Sequence, residues 1–559
     1  MSQNSDASTL LAKARVSIPT PRYRHATPSG PWPFLDLRDD VPTEQIEPRP
    51  KQGTCKHLVE VVKCNECLNG YPQSLFPNWT SKQQVKSGID TVAGRRHPCT
   101  LLHVEMSIDQ NGASFSTPGT ICVNETNCEE AANNLRELQS QKAETRAIFV
   151  DGISGPTLKM LGTIFDIEPF YFSSSIGWTP SRFQESLDRD LKSDHITLTL
   201  RFVSKIPKPV QKHEPTSKIG VGKRSRIDVY EPLILGDCAL QPDLLAFHVV
   251  RSKGNNTIIS YHCSERYGST SAADLCTRLQ LVARSVYWSK IFKEYLDPTF
   301  VVVSMLWYAL YSWDEAMQGL YDKICKMESQ VMGTLDPYQM TTITNELHGI
   351  RAHMLYYRSL LADFQKAVTF VLKTHNPAME DAKNKEEMQK VMQKECDHIL
   401  HGIRRVEKDC EMQDLRLKNV MDLGFSRLNI EDSRQTTKLT EASLRDSAAM
   451  KQISYLTMVF LPATFTSSVF GINVVEINPT SNPRLWAYIA TAVTITFITI
   501  WLVGAMQLPY MAHDVNPSAA QAQGQNGYKW SRLWWPVILI QTSLTDKAEN
   551  RRIRGLEYE

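Results

Sequence analysis

The chain has 559 residues, a formal net charge of +2 at pH 7 and a mean hydropathy of −0.30. This length is enough for two or three domains, and the mean hydropathy excludes a bundle of many membrane spans. The nearly neutral charge gives no indication of a nucleic-acid partner, and twelve scattered cysteines are typical of a reducing compartment.

The first 295 residues are predicted to contain a tail and one soluble domain. Residues 1–50 are rich in Pro and Ser and are expected to be disordered. Residues 51–295 alternate strand-like stretches, such as 196–202 and 245–250, with helical stretches such as 129–142. We therefore expect an α/β cytosolic domain here.

Long helices are predicted from 296 to 450. The apolar stretch 300–313 has 14 residues, which is too short to span a membrane and indicates a buried helix start. The helical pattern breaks near 333–337 and turns at 376–377. A second long helix then begins near Lys385 and contains no proline before the predicted membrane segment. This pattern predicts stalk helices with coiled-coil character.

A two-helix transmembrane hairpin is predicted over 451–508, with spans at about 454–473 and 485–506. The second span has 22 residues without a charge, which is long enough to cross ~30 Å of hydrocarbon. Lys and Arg are concentrated outside the connecting loop, so we expect both termini, including the 509–559 tail, in the cytosol or the mitochondrial matrix. We favour the plasma membrane. The Arg-containing, acid-free stretch 8–35 keeps the mitochondrial inner membrane as the alternative.

One face of the first span is polar in an unusual way. Six residues lie within about 40° of one line on a helical wheel, and we call them the hydroxyl stripe: Met450, Ser454, Thr457, Leu461, Thr464 and Ser468. Such a stripe suits a water-filled path that holds a hydrated cation loosely. Helix packing through small residues enriches Ser and Thr equally and stays open as the alternative.

The residues around this stripe resemble the CorA family of divalent-cation channels. The resemblance is carried by Met450-Lys451, Phe460-Leu461-Pro462-Ala463-Thr464-Phe465 and Phe470-Gly471-Ile472-Asn473. The family's signature is Tyr-Gly-Met-Asn, whereas this chain has Phe470 and Ile472 in place of Tyr and Met. A branched aliphatic middle residue is more similar to the zinc-transporting branch, whose triplet is Gly-Val-Asn.

The resemblance implies a homopentamer whose five first spans line a pore in contact with membrane lipid. It places Asn473 at the pore mouth, with Phe470, Gly471, Ile472 and Glu476 around it. A carboxamide can accept a hydrogen bond from a water of the hydrated ion. It also implies passive uptake driven by the membrane potential, with Mg²⁺ as the leading ion, Zn²⁺, Co²⁺ or Ni²⁺ as alternatives, and no bound cofactor.

Two further metal sites are weighed from the sequence. The resemblance implies a regulatory metal held between subunits, for which the candidates are Glu380, Asp381, Glu386 and Glu387; a solvated acidic loop is the alternative. The spacing of Cys55, His57, Cys64 and Cys67 allows a zinc site, with His97 and Cys99 as a second pair. Ordinary buried or free thiols are the alternative.

Other classes of function are considered last. No Ser-His-Asp or paired-carboxylate constellation and no Gly-rich phosphate loop can be recognised from spacing, so we do not interpret the protein as an enzyme. A non-conducting, membrane-anchored interaction module remains the second hypothesis. It keeps the hairpin as an anchor and needs neither the hydroxyl stripe nor the Gly-Asn turn.

Overall fold

The computed structural model describes residues 65–76, 79–110, 112–141, 143–188, 193–207, 227–263, 270–333, 337–471 and 485–515. Within them the chain divides into two units, one that extends to Leu428 and one that begins at Asn429. The first unit is built on a mixed β-sheet. The second contains the end of one long helix and a further helix.

The described residues of the first unit form a nine-stranded sheet. Its strands are β1 (Cys99–Asp109), β2 (Gly112–Phe115), β3 (Gly119–Val123), β4 (Thr145–Asp151), β5 (Ser181–Asp188), β6 (Ser193–Pro207), β7 (Leu233–Ile234), β8 (Cys238–Arg251) and β9 (Asn256–His262). The main order is β2-β1-β4-β9-β8-β6-β5, while β3 pairs with β1 and β7 with β8. The β4–β9 pair is parallel, and the other pairs are antiparallel.

Both faces of this sheet are buried. Along β4, Phe149 contributes to one hydrophobic core while its neighbours Ile148 and Val150 contribute to the other. Along β9, Ile258 and Ile259 divide in the same way, because successive side chains of a strand point to opposite faces. A strand covered on both faces reads as a continuous apolar run, and this explains why β4 and β9 are buried along almost their whole length.

Helices cover the two faces separately. The core on the first face includes residues of α1 (Asn65–Gly70), α3 (Ile89–Ala93), α4 (Cys128–Ser140), α5 (Gly155–Ile164) and α6 (Phe170–Ile176), with α2 (Ser81–Ser87) between α1 and α3. The core on the second face includes residues of α7 (Ala272–Ala283), α8 (Val286–Glu294), α9 (Thr299–Met332), α10 (Pro337–Lys373) and α11 (Lys385–Gly471). The first unit is therefore a soluble α/β body with long helices.

The long helices begin and end close to where the sequence predicts. Pro298 is the N-cap residue of α9, whose first residues Phe300 to Val303 are buried as expected. α10 begins at Pro337 and ends at Lys373, and α11 begins at Lys385. The strand stretches 196–202 and 245–250 lie inside β6 and β8, and α4 occupies most of 129–142.

The long helices pack directly on the sheet. Residues of α9, α10 and the first part of α11 share one hydrophobic core with β6 and β8. Gly402 on α11 allows this close packing, since a Cβ there would lie 2.5 Å from Leu310 Cδ2 on α9. The long helices are thus part of the soluble body as far as Leu428.

In the second unit, α11 continues to Gly471 and α12 spans Leu485–Val515. No helix within the described residues is both long enough and apolar enough to cross a membrane. The transmembrane hairpin stays a prediction of the sequence.

Candidate functional site

The hydroxyl stripe lies on α11, and its side chains face outward. All six residues are exposed, with Met450 at 72% and Leu461 at 62% of their full accessibility. Exposed apolar and hydroxyl side chains on a regular helix form a surface that can contact solvent or another molecule. The stripe is therefore a continuous free face within the single chain.

Three of the four hydroxyl groups of the stripe donate their protons to the helix itself. Thr457 Oγ1 donates to the Ile453 carbonyl at 2.7 Å, Thr464 Oγ1 to the Phe460 carbonyl at 2.6 Å, and Ser468 Oγ to the Thr464 carbonyl at 2.9 Å. A hydroxyl has one donor and two acceptor lone pairs. Because the donor is already used, each oxygen presents mainly acceptors to its surroundings. Waters bound to a cation direct their hydrogens outward, and acceptors are the groups that they need.

Two residues of α11 that lie away from the stripe are covered. Pro462 is buried and Thr466 is only 3% exposed, and both lie more than about 100° from the stripe on an ideal helix. Beside them, Ser467 Oγ and the Tyr488 hydroxyl of α12 lie 2.6 Å apart in a hydrogen bond. Within the described residues of this unit, the contacts of α11 near Pro462, Thr466 and Ser467 thus lie off the stripe.

The predicted pore mouth lies mostly outside the described residues. α11 ends at Gly471, where a Cβ would meet no atom within 4 Å, so packing within the chain does not require glycine there. Ile472, Asn473 and Glu476, together with the side chain of Phe470, lie outside the described residues. Their roles at the mouth stay predictions.

The four acidic candidates for a regulatory metal do not converge within one chain. The Asp381 carboxylate lies 2.8 Å from Lys253 Nζ, and Glu380 lies 3.7 Å from His375 Nε2. Glu386 and Glu387 lie in the first turn of α11, where carboxylates stabilise the positive end of the helix dipole. No group of three or more His, Cys, Asp or Glu side chains among the described residues could hold a metal. A site between copies of the chain stays a prediction.

The zinc candidates lie only partly within the described residues, so the predicted zinc site stays a prediction. Cys55, His57 and Cys64 lie outside the described residues, and Cys67 is buried in α1. Cys99 is buried in β1, where its thiol donates to the Asp151 carbonyl at 3.4 Å, and burial raises its pKa to about 11. Since the thiolate is the form that binds metal, Cys99 is poorly suited to be a ligand at neutral pH.

The structure also contains a buried ion pair that the sequence analysis missed. Asp194 on β6 and Arg251 on β8 are both fully buried, and Arg251 Nε donates to Asp194 Oδ1 at 2.7 Å. Arg251 further donates to Thr299 Oγ1 at 3.2 Å and to the His375 carbonyl at 2.7 Å. The pair therefore joins the sheet to the start of α9 and to the segment after α10. A charged residue at a strand end gives no sequence signal for such burial.

The region that contains the stripe matches a known family model. Residues 274–504, less than half of the chain, match the model described as CorA-like Mg²⁺ transporter protein. Over this region the chain is similar to the CorA-like family. No curated protein sequence matches the chain.

Three solved structures are similar to this chain in fold. The complete CorA magnesium transporter from Methanocaldococcus jannaschii has 12% identity and a TM-score of 0.34, covering 72% of this chain and 96% of its own. The full-length CmaX protein has 13% identity and a TM-score of 0.34, covering 73% and 97%. The ZntB cytoplasmic domain from Vibrio parahaemolyticus has 9% identity and a TM-score of 0.30, covering 58% and 98%. Sequence identities and TM-scores this low support no conclusion about the candidate site.

Proposed function

We propose that this protein is a CorA-type divalent-cation channel that carries ions passively through a homo-oligomeric pore lined by α11. The observation that carries the proposal is the exposed hydroxyl stripe, whose oxygens present acceptors outward. The stripe lies inside the region that matches the CorA-like Mg²⁺ transporter family. An acceptor-lined path suits an ion that keeps its water shell.

Oligomerisation follows from geometry, because one helix face cannot enclose a path. Several copies of α11 must place their stripes around a common axis, with α12 of each copy outside. We propose five copies, as the family resemblance implies. In this arrangement Pro462 and Thr466, which are covered within the chain, face away from the axis.

For the transported ion we propose Mg²⁺ first, with Zn²⁺, Co²⁺ and Ni²⁺ as competitors. The connection between the predicted spans offers Glu476 but also Arg484, which opposes capture of a dication. Neither Ile472 nor Asn473 provides the soft sulfur or imidazole ligand that selects zinc.

We propose that both termini lie in the cytosol and that the membrane potential drives uptake. The basic residues that flank the predicted hairpin support this orientation. A dication that moves inward gains about 4.6 kcal/mol per 100 mV, twice the value for a single charge. This free energy drives uptake without nucleotide hydrolysis.

Reconstitution tests the proposal. The full-length protein in vesicles is expected to take up Mg²⁺ when the interior is negative, and mass measurement of the detergent complex is expected to give five chains. Uptake of each ion into the same vesicles, measured at matched outside concentration and voltage, gives the order of preference among the ions. Absence of any divalent flux from a correctly inserted protein would favour the anchored interaction module. Robust Zn²⁺ uptake without Mg²⁺ uptake would overturn only the proposed preference for Mg²⁺.

The assigned pore face has its own test on α11. Thr464→Cys is expected to react with a small, water-soluble thiol reagent and to lose most of its flux, because Thr464 lies on the stripe. Thr466→Cys is the matched control, since Thr466 is the same residue type two positions away but is 3% exposed. Reaction at position 466 with none at 464 would contradict the assignment.

A further inference from the structure

Four buried polar atoms between the three long helices have no hydrogen-bond partner within the described residues. They are Trp313 Nε1 on α9, His353 Nδ1 and the Tyr357 hydroxyl on α10, and Gln413 Oε1 on α11. Even the most exposed of these residues, His353, is only 6% exposed. A buried donor or acceptor without a partner destabilises the folded state, and most such groups in folded proteins are hydrogen-bonded. The clustering of four such atoms therefore needs a physical explanation.

The aromatic members of this group are neighbours. The rings of Trp313 and Tyr357 meet edge to face between α9 and α10, with their centroids 5.8 Å apart. The rings of His353 and Tyr357, one turn apart on α10, have their centroids 5.9 Å apart. Core positions on the adjacent turns are apolar, among them Leu310 on α9 and Leu361 on α10. The polar atoms therefore lie in a small region enclosed by apolar side chains.

Gln413 brings α11 to the same region. Its Nε2 donates to the Met317 carbonyl at 3.0 Å, and Met317 follows Trp313 by one turn of α9. Burial raises the pKa of the Tyr357 hydroxyl, and the Cys410 thiol, which precedes Gln413 on α11, is among the nearby groups that raise it further. Each of the three helices thus contributes at least one of the four atoms to one part of the core.

The four atoms are a mixture of hydrogen-bond donors and acceptors. An indole nitrogen can only donate and an amide oxygen can only accept, whereas the Tyr357 hydroxyl and the His353 nitrogen can take either role. A metal ion would be repelled by the indole N–H of Trp313, and an anion would be repelled by the amide oxygen of Gln413. An apolar molecule would leave all four atoms without a hydrogen bond. Water donates and accepts at once, so it is the ligand that this mixture fits.

We propose that α9, α10 and α11 bind an ordered internal water molecule that joins Trp313 Nε1, the Tyr357 hydroxyl and Gln413 Oε1. Internal waters in proteins make about three hydrogen bonds, mainly to polar groups that would otherwise be unsatisfied. A shift of one helix along its neighbours by one turn, ~5.4 Å, would separate its polar atom from the water. The water therefore holds the three helices in register. This inference is independent of the proposed channel and would hold for an anchored interaction module as well.

A structure of the full-length protein at a resolution that shows internal waters tests the site directly. Density for a water molecule is expected within about 2.7–3.2 Å of at least two of the three atoms. A map that shows other internal waters but has none between these helices would overturn the proposal. Direct hydrogen bonds from Trp313 Nε1, the Tyr357 hydroxyl and Gln413 Oε1 to protein groups would overturn it as well.

Variants that remove one polar atom test the same water in solution. Tyr357→Phe keeps the ring and is expected to lower the hydrogen-exchange protection of the α10 amides around position 357 about tenfold, or about 1.4 kcal/mol. Tyr338→Phe is the matched control, because Tyr338 is 83% exposed on the same helix, and it is expected to keep wild-type protection. Gln413→Met combined with Tyr357→Phe is expected to lose less than the sum of the two single losses, since both atoms bind one water. Unchanged or higher protection in Tyr357→Phe, or strictly additive losses, would overturn the proposal.

Discussion

Asn473→Ala is expected to reduce divalent-cation flux at least about a hundredfold while leaving assembly intact. A hydrogen bond to a charged group contributes about 1.5–3 kcal/mol, and a tenfold change in rate corresponds to about 1.36 kcal/mol. Removal of the carboxamide from every copy therefore removes the acceptors that we expect to hold the hydrated ion at the mouth. The change removes one small polar group, so assembly is expected to stay intact.

Flux in vesicles and mass of the complex together measure this prediction. Asn429→Ala is the matched control, because Asn429 is an exposed amide on α11 outside the predicted span. The control is expected to keep both flux and oligomeric state. Flux at the wild-type level in Asn473→Ala would show that the Gly-Ile-Asn turn has a structural role only.

Asp194→Ala is expected to destabilise the sheet by about 3–5 kcal/mol. The substitution leaves Arg251 buried without its carboxylate, and an uncompensated buried charge is strongly destabilising. The Arg251 bonds to Thr299 and the His375 carbonyl remain, and neither partner carries a negative charge. The lost stability is expected in β6 and β8 together with the start of α9.

Hydrogen exchange of the full-length protein measures this loss as lower protection of the β6 and β8 amides. Asp381→Ala is the control, because its ion pair with Lys253 is more than half exposed and such pairs contribute only ~0–1 kcal/mol. The double variant Asp194→Ala, Arg251→Met is expected to lose less than Asp194→Ala alone. Equal protection in Asp194→Ala and Asp381→Ala would mean that the buried pair does not stabilise the sheet.

The elements of this fold that the sequence predicts are those with local signals. Pro298 lies at the start of α9, and the absence of proline after Lys385 agrees with the unbroken helix α11 as far as Pro462. Strands β6 and β8 were visible because their β-branched and aromatic residues form short runs. The region that matches the CorA-like family model, 274–504, includes the motif residues between Phe460 and Gly471.

What the sequence could not show depends on contacts between distant residues. The Asp194–Arg251 pair joins positions 57 residues apart, and neither residue differs locally from a solvated surface charge. The packing of α11 against α9 brings Gly402 close to Leu310. These two residues are far apart in the sequence, with α10 between them. The pairing of β1 with its neighbouring strands buries the Cys99 thiol and makes it an inert core residue. The sequence around Cys99 does not show this burial.

The internal bonding of the stripe hydroxyls has a consequence for protons. Proton hopping along a row of hydroxyl groups requires each group to accept one proton and pass on its own. In Thr457, Thr464 and Ser468 that proton is committed to a carbonyl of the preceding turn. In the proposed channel, these three side chains can therefore contact a hydrated metal ion without forming a chain along which protons hop.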